Sequence, residues 1–223
     1  MGVNYNPAVV SSNMVVCLDA ANSNSYSGTG ATWSDISGRG NNATLVNSPT
    51  FSSANSGSLV FNGTSQWANL GNVPISTSAI TVSAWVFDTD VGNLSRDIVT
   101  KAGTFKFRVD VGAEGGNLSA FVWIGGAAEP RISAAWTKNV WTNVAFTWNT
   151  SGAFRLYTNG VVRTATTSRI GTAGTTANNL SVASDSGIEF WPGNISDVMI
   201  YNATLTDDEI AQNFNALRSR YGV

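Results

Sequence analysis

The sequence contains no histidine. That absence removes Ser-His-Asp and Cys-His catalysis together with every imidazole metal site. A single cysteine, Cys17, permits no internal disulfide, so the fold does not depend on an oxidising compartment. Within VVCLDA it reads as a small core residue rather than a reactive thiol. Charge is scarce as well: 12 Lys and Arg against 14 Asp and Glu, or 12% of 223 residues with a net charge of −2, where about 25% charged residues is usual. With the basic residues scattered and the pI near 5.0, no basic patch offers counterion release, and nucleic acid is not expected as a partner. The opening MGVNYNPAVVSSNMVV has neither a basic leader nor a long apolar run, so no signal peptide, transmembrane segment or membrane partner is expected.

What remains is hydroxyl, amide and glycine: Ser, Thr, Asn and Gly fill 95 of the 223 positions. Hydrophobic residues still make up 43%, with eight Trp, enough apolar area to offset chain entropy in one folded domain. From about 80 to 201 the apolar residues recur with period two, the pattern of half-buried strands. ITVSAWVF sets Ile80, Val82, Ala84 and Val86 against Thr81, Ser83, Trp85 and Phe87. FKFRVDV sets Phe105, Phe107, Val109 and Val111 against Lys106, Arg108 and Asp110. In NLSAFVWIGG, Leu118, Ala120, Val122 and Ile124 oppose Ser119, Phe121 and Trp123. NVAFTW turns Val144, Phe146 and Trp148 inward, and Phe154 and Leu156 alternate with Arg155 and Tyr157. Asn159-Gly160 between two such runs predicts a type I′ hairpin. About a dozen strands are expected, too many for one flat sheet, so they should split into two packed layers.

A short helix is predicted over 206–221. Thr206 is its N-cap, Glu209 completes a capping box, and Asp207 and Asp208 suit the positive helix end. Ile210, Phe214 and Leu217 make an apolar stripe, expected to cover the edge of its own sandwich. Residues 1–13 lack periodicity and are read as an extended arm, either a solvated tail or a segment packed against something such as another subunit, with residues 14–223 forming the domain.

Collecting the outward parity of the strands gives Trp85, Arg108, Phe121, Trp123, Arg155 and Tyr157. Aromatic faces stack on the C–H side of sugars, and guanidinium donates in pairs to hydroxyls or carboxylates. The candidate glycan or partner site is therefore Trp123, Arg155, Tyr157, Arg108 and Trp85. The competing reading packs Trp85 and Phe121 in the core and lays the Arg stems over apolar surface.

Three stretches resemble the laminin-G-like, concanavalin A-like jelly-roll superfamily. They are CLDAANSNSYSGTGATWSDISGRGNNATL with SLVFNGTSQWANLG; ITVSAWV with WTNVAFTWNTSGAFRLYTNGVV; and GNISDVMIYNATLTDDEI. The resemblance covers roughly 14–221 and implies an all-β fold: a two-layer antiparallel jelly-roll sandwich with a short C-terminal helix. The versions with LDAANSNSYSGTG near the start and DDEIAQNFNALRSRYG near the end look most like copies carried by tailed bacteriophages. That likeness implies a virion structural protein, a capsid decoration or a fibre tip, assembled in the host cytoplasm. Its partners would then be other capsid or tail proteins, copies of itself in a homo-oligomer, and host-surface glycans. The alternative is a lectin-like module for host attachment.

Some members of the superfamily are glycanases, but the Glu-x-Asp-x-Glu strand of the glucanase relatives has no counterpart here. No catalytic residues and no enzymatic activity are expected. No cofactor is required, although the resemblance implies calcium in many relatives. Asp19 and Asp197, on the first and last strands, are the expected metal pair. Asp35 matches another acidic family position, with turn capping as its alternative role. FNGTSQW departs from the pattern by placing Asn62, Ser65 and Gln66 where acidic residues are common.

Overall fold

A computed structural model describes residues 8–90, 92, 94–112, 114–167 and 170–223, the side chains of 127–130 excepted. In chain order the strands are β1 (Met14–Asp19), β2 (Thr32–Trp33), β3 (Ala43–Val46), β4 (Thr50–Ser52), β5 (Ser58–Asn62), β6 (Trp67–Asn69), β7 (Ala79–Asp88) and β8 (Arg96–Lys101). They continue as β9 (Phe105–Asp110), β10 (Asn117–Ile124), β11 (Ala127–Ala134), β12 (Trp141–Asn149), β13 (Ala153–Thr158), β14 (Val161–Thr167), β15 (Leu180–Val182) and β16 (Pro192–Tyr201). Helix α1 (Asp207–Leu217) ends in a 3-10 turn over Arg218–Arg220.

The strands form two antiparallel sheets. One runs β14-β13-β12-β7-β16-β5-β4, with β1 also paired to β16; the other runs β11-β10-β9-β8-β15-β6-β3-β2. This is the expected all-β jelly-roll sandwich. The last strand organises the first sheet, because it pairs with β7 on one side while β5 and β1 share the other. β5 takes the stretch from Pro192 to Ile195, and β1 the stretch from Asp197 to Tyr201. Gly193 makes the close approach to β7 feasible, since a Cβ there would sit 2.1 Å from the Phe87 carbonyl oxygen.

The alternating pattern sets the interior. Ile80, Val82, Ala84 and Val86 meet Phe105, Phe107 and Val109 across the layers, with Leu118, Ala120, Val122, Phe146, Trp148, Phe154 and Leu156 in the same core. The Asn159-Gly160 turn has φ of 51° and 73°, the positive pair that a tight hairpin demands. Strands β2 to β6 fall outside the stretch read from periodicity, being five residues or shorter.

A second apolar cluster lies outside the sandwich, between the outer face of the first sheet and α1. Trp85, Ala145, Tyr157, Met199 and Tyr201 from the strands meet Ile210, Leu217 and Tyr221. Trp85 is the keystone: its ring stacks on Tyr221 at 3.9 Å and on Phe214 at 5.6 Å. The capping box at Thr206 and Glu209 is formed in full. The helix is shorter than the expected 206–221, because its last turn tightens to 3-10 geometry at Arg218.

Residues 8–10 of the expected arm lie against this helix. Gln212 donates its amide to the Ala8 carbonyl (2.7 Å), and the Val10 N–H donates to Asn213 Oδ1 (2.8 Å). The Tyr201 hydroxyl donates to the Val10 carbonyl at 3.0 Å. That part of the arm is thus tied to its own chain; residues 1–7 lie outside the described residues.

Candidate functional site

The six outward residues do not form one face. Arg155 and Tyr157 stand on β13 in one sheet, whereas Arg108, Phe121 and Trp123 stand on β9 and β10 in the other, and each set points away from the core. Sequence parity tells inward from outward but not which sheet a strand joins, so the sandwich divides the set between opposite sides.

Trp85 has outward parity, yet it is fully buried beneath α1 and offers no surface for a ligand. Arg108 is only 6% exposed and pairs with Asp97 (3.3 Å) and Glu189 (2.8 Å). Beside it Lys106 sits among Asp185, Glu189 and Asp97 at 2.7, 2.7 and 3.5 Å. Those three carboxylates approach one another closely enough to hold a metal, but the Lys106 ammonium fills the space between them. Two cations against three carboxylates leave one negative charge over. Burial, the largest influence, outweighs Lys106 and Arg108 and is reinforced by Glu189 and Asp185, pushing the Asp97 carboxyl up to about 7. Burial works the same way on Glu189, but its bonds from Lys106 and Arg108 prevail and hold it below the usual carboxylate range.

Trp123 remains half-buried at the end of β10, with its ring 5.1 Å from Phe121. The Arg131 guanidinium lies 4.8 Å over the Phe121 face. Phe121 itself is buried, in keeping with the packing reading.

Arg155 and Tyr157 are brought together with residues that the sequence reading had assigned to helix capping alone. A cleft of about 560 Å3 opens between β12, β13 and the start of α1, lined among others by Asn149, Arg155, Tyr157, Thr206, Asp207 and Asp208. Arg155 Nη1 donates to Asp207 Oδ2 at 2.5 Å, and the Tyr157 hydroxyl donates to Asp207 Oδ1 at 2.8 Å. The Tyr157 hydroxyl, the largest influence, and then Arg155 hold the Asp207 carboxyl below its ordinary range despite partial burial. Burial pushes the Tyr157 phenol up to about 12. Its ring is 1% exposed, so Tyr157 supplies an oxygen here rather than a stacking platform. Asn149 spends its carbonyl on the Ser151 N–H, the Ser151 hydroxyl and the Ala153 N–H, which leaves its Nδ2 as donor. The signal for Asp207 and Asp208 was present in TDDE, but helix-end chemistry already accounted for both.

The expected metal pair meets a different partner. Asp19 and Asp197 are opposite each other in the β1–β16 register. Arg220 Nη1 donates to both Asp19 oxygens at 2.9 and 3.0 Å. Asp197 is buried, and burial first, then the neighbouring Asp19, raises its carboxyl well above the ordinary value. A calcium ion wants six to eight hard oxygens. With both Asp19 oxygens accepting from Arg220 and Asp197 Oδ2 accepting from the Tyr221 hydroxyl, a guanidinium stands where that ion would, and the pair does not fit it. Asp35 caps its own turn, accepting from the N–H groups of Cys17, Ser37 and Asn41, each at 2.9 Å. In FNGTSQW the Asn62 side chain likewise closes its own loop, accepting from the N–H groups of Thr64, Ser65 and Gln66.

Comparison with known proteins agrees with this architecture. The family described as the concanavalin A-like lectin/glucanases superfamily matches residues 62–211. No curated protein sequence matches the chain. Among solved structures, domain 4 of AbnA, an extracellular GH43 arabinanase from Geobacillus stearothermophilus in complex with arabinotriose, aligns with a TM-score of 0.69 at 18% identity. That alignment covers 90% of this chain and 98% of that one. The botulinum neurotoxin serotype D ligand-binding domain, in complex with N-acetylneuraminic acid, aligns with a TM-score of 0.67 at 16% identity, over 92% of this chain and 51% of that one. The binding domain of Paraclostridial Mosquitocidal Protein 1 aligns at 0.69 and 16%, over 92% and 52%. The chain thus spans about half of each of those two toxin domains. At such identities the likeness is one of fold.

Proposed function

The chain belongs to the concanavalin A-like lectin/glucanases superfamily, and from that membership we propose that it is a non-catalytic glycan-binding module whose cleft at the start of α1 receives the sugar. The observation that carries this reading is the convergence, around one open cleft, of fixed donors and fixed acceptors. Arg155 and Asn149 supply N–H groups, and Asp207 and Asp208 supply carboxylate oxygens. Saccharides present vicinal hydroxyls that donate to carboxylates and accept from guanidinium or amide. The backbone under these side chains is held by strands β12 and β13 and by the capped first turn of α1, and Arg155 and Asp207 hold each other, which limits the ordering needed on binding. The two solved relatives with a saccharide in the complex, the arabinanase domain and the serotype D toxin domain, support the substrate class.

Catalysis is not part of the proposal. Glycoside hydrolysis needs one carboxyl that holds a proton as general acid. Asp207 is pulled the other way by Tyr157 and Arg155.

The test is a glycan array with the intact chain, Arg155→Ala and Trp123→Ala, each checked for an unchanged melting temperature and each run with calcium and with chelator. We expect chelator-insensitive binding that falls at least about tenfold in Arg155→Ala, the loss of a charged hydrogen bond. Binding lost in Trp123→Ala instead would move recognition to the opposite sheet, and a blank array for the intact chain would overturn the reading.

A second reading concerns where the module works. We place it in a tailed-phage virion, as a capsid decoration or fibre tip built from several copies. The resemblance of the LDAANSNSYSGTG and DDEIAQNFNALRSRYG segments to phage-borne domains supports this. So does β14, an edge strand exposed along most of its length, with β-branched residues at five of the seven positions of VVRTATT.

A further inference from the structure

Resting on the reading of the cleft as a saccharide site, we propose that it selects uncharged saccharides and discriminates against acidic ones, the uronic and sialic acids. An arginine in a sugar site ordinarily invites a carboxylate, since the guanidinium fork matches it bidentately. Here that invitation is already answered from within the chain. Arg155 pairs with Asp207 Oδ2, and Tyr157 occupies Asp207 Oδ1 from the other side. The acid that answers it lies in the same cleft, so an incoming carboxylate would have to displace Asp207 or approach it.

Asp208 tips the balance. It lines the cleft beside Asp207, and among the described residues no cation pairs with it. The lining therefore carries one guanidinium against two carboxylates. The helix start would by itself attract an anion. That attraction is spent, because Asp207, Asp208 and Glu209 occupy the first turn and the Thr206 side chain takes the Glu209 N–H. An acidic sugar thus meets a net negative wall with no unmatched positive charge. A neutral one loses nothing: its hydroxyls donate to Asp208 and accept from Asn149 Nδ2 and the remaining N–H groups of Arg155.

The experiment compares matched oligosaccharides that differ only in the terminal sugar, galactose against galacturonic acid, by titration calorimetry at low and at high salt. The chains used are the intact protein and Asp208→Asn. We expect the galactose-ended ligand to bind about tenfold more tightly at low salt, as one exposed charge contact of about 1.4 kcal/mol would give. The gap should shrink in high salt, where exposed charges are screened, and shrink again in Asp208→Asn. Equal or tighter binding of the galacturonic acid ligand overturns this selectivity and leaves the glycan-binding reading standing. A gap indifferent to both salt and Asp208→Asn also overturns it, since shape rather than charge would then discriminate. No binding of any saccharide by the intact chain, on the array or here, overturns the glycan-binding reading itself.

Discussion

Asp97 shows how one carboxyl can tie stability to pH. Its folded-state pKa is pushed up to about 7, whereas in the unfolded chain it titrates near the ordinary aspartate value of about 3.9. Between those values the folded protein holds a proton that the unfolded chain has released. The Asp97 contribution to stability is therefore complete below about pH 4 and is lost as pH rises through 7. Asn at this position imitates the protonated form at every pH. Melting curves of the intact protein and Asp97→Asn between pH 4 and 8 should show the variant gaining on the intact protein across that window, at up to about 1.4 kcal/mol per pH unit, and no further gain above it. A difference that stays constant with pH would exclude a raised Asp97. At this scale the sequence was legible in parity and silent about cover. The inward residues within β7, β9, β10, β12 and β13 reach the core as alternation predicts, whereas Val111, inward by the same alternation, falls past the end of β9 and is only half-buried. Trp85 and Arg108 are outward by the same rule and are nevertheless buried, one by a helix from the far end of the chain and the other by the loop that carries Asp185 and Glu189. Period two records the pleat of a strand and nothing about what is later laid upon it.

Among the elements, α1 does two jobs with one turn. Its cap fixes where Asp207 and Asp208 stand, so the cleft inherits its geometry from the capping box. Thr206→Ala removes the side-chain acceptor of the Glu209 N–H and should cost about 1 kcal/mol, read as a lowered denaturation midpoint. It should also weaken saccharide binding under conditions where the variant remains folded, because the first turn frays and carries both carboxylates with it. Loss of stability with saccharide affinity intact would separate the cap from the cleft. The helix was legible because its box, acidic first turn and apolar stripe are all local signals. The short strands β2 to β4 were not, since two to four residues carry too little periodicity to stand out from the turns around them. The cleft itself was half legible. Arg155 and Tyr157 follow from strand parity, but their meeting with Asp207, some fifty positions later, depends on how the helix docks.

For the molecule as a whole, the open edge at β14 bears on assembly. Among the described residues β14 has a strand partner on one side alone, and such an edge with a single charged side chain is a template for another chain, two-fold symmetry being the commonest way for copies to use one. Light scattering on the purified chain should reveal a discrete small oligomer over a range of concentrations, and a monomer at every concentration would remove homo-oligomerisation from the virion reading. The opposite limit of the same sheet has another consequence. Among the described residues β1 pairs as a strand with Asp197–Tyr201 of β16, and α1 closes over both with the Ala8 to Val10 segment beneath Gln212 and Asn213. The 35–41 loop meets the other edge of β1 early, through the Ile36 N–H to the Cys17 carbonyl and the Asn41 amide to the Val15 carbonyl, but the strand partner of β1 lies about 180 residues further on. Strand pairing across so long a stretch of chain is of the slow, non-local kind, so the β1–β16 ladder is expected to close after the hairpins of the same sheet.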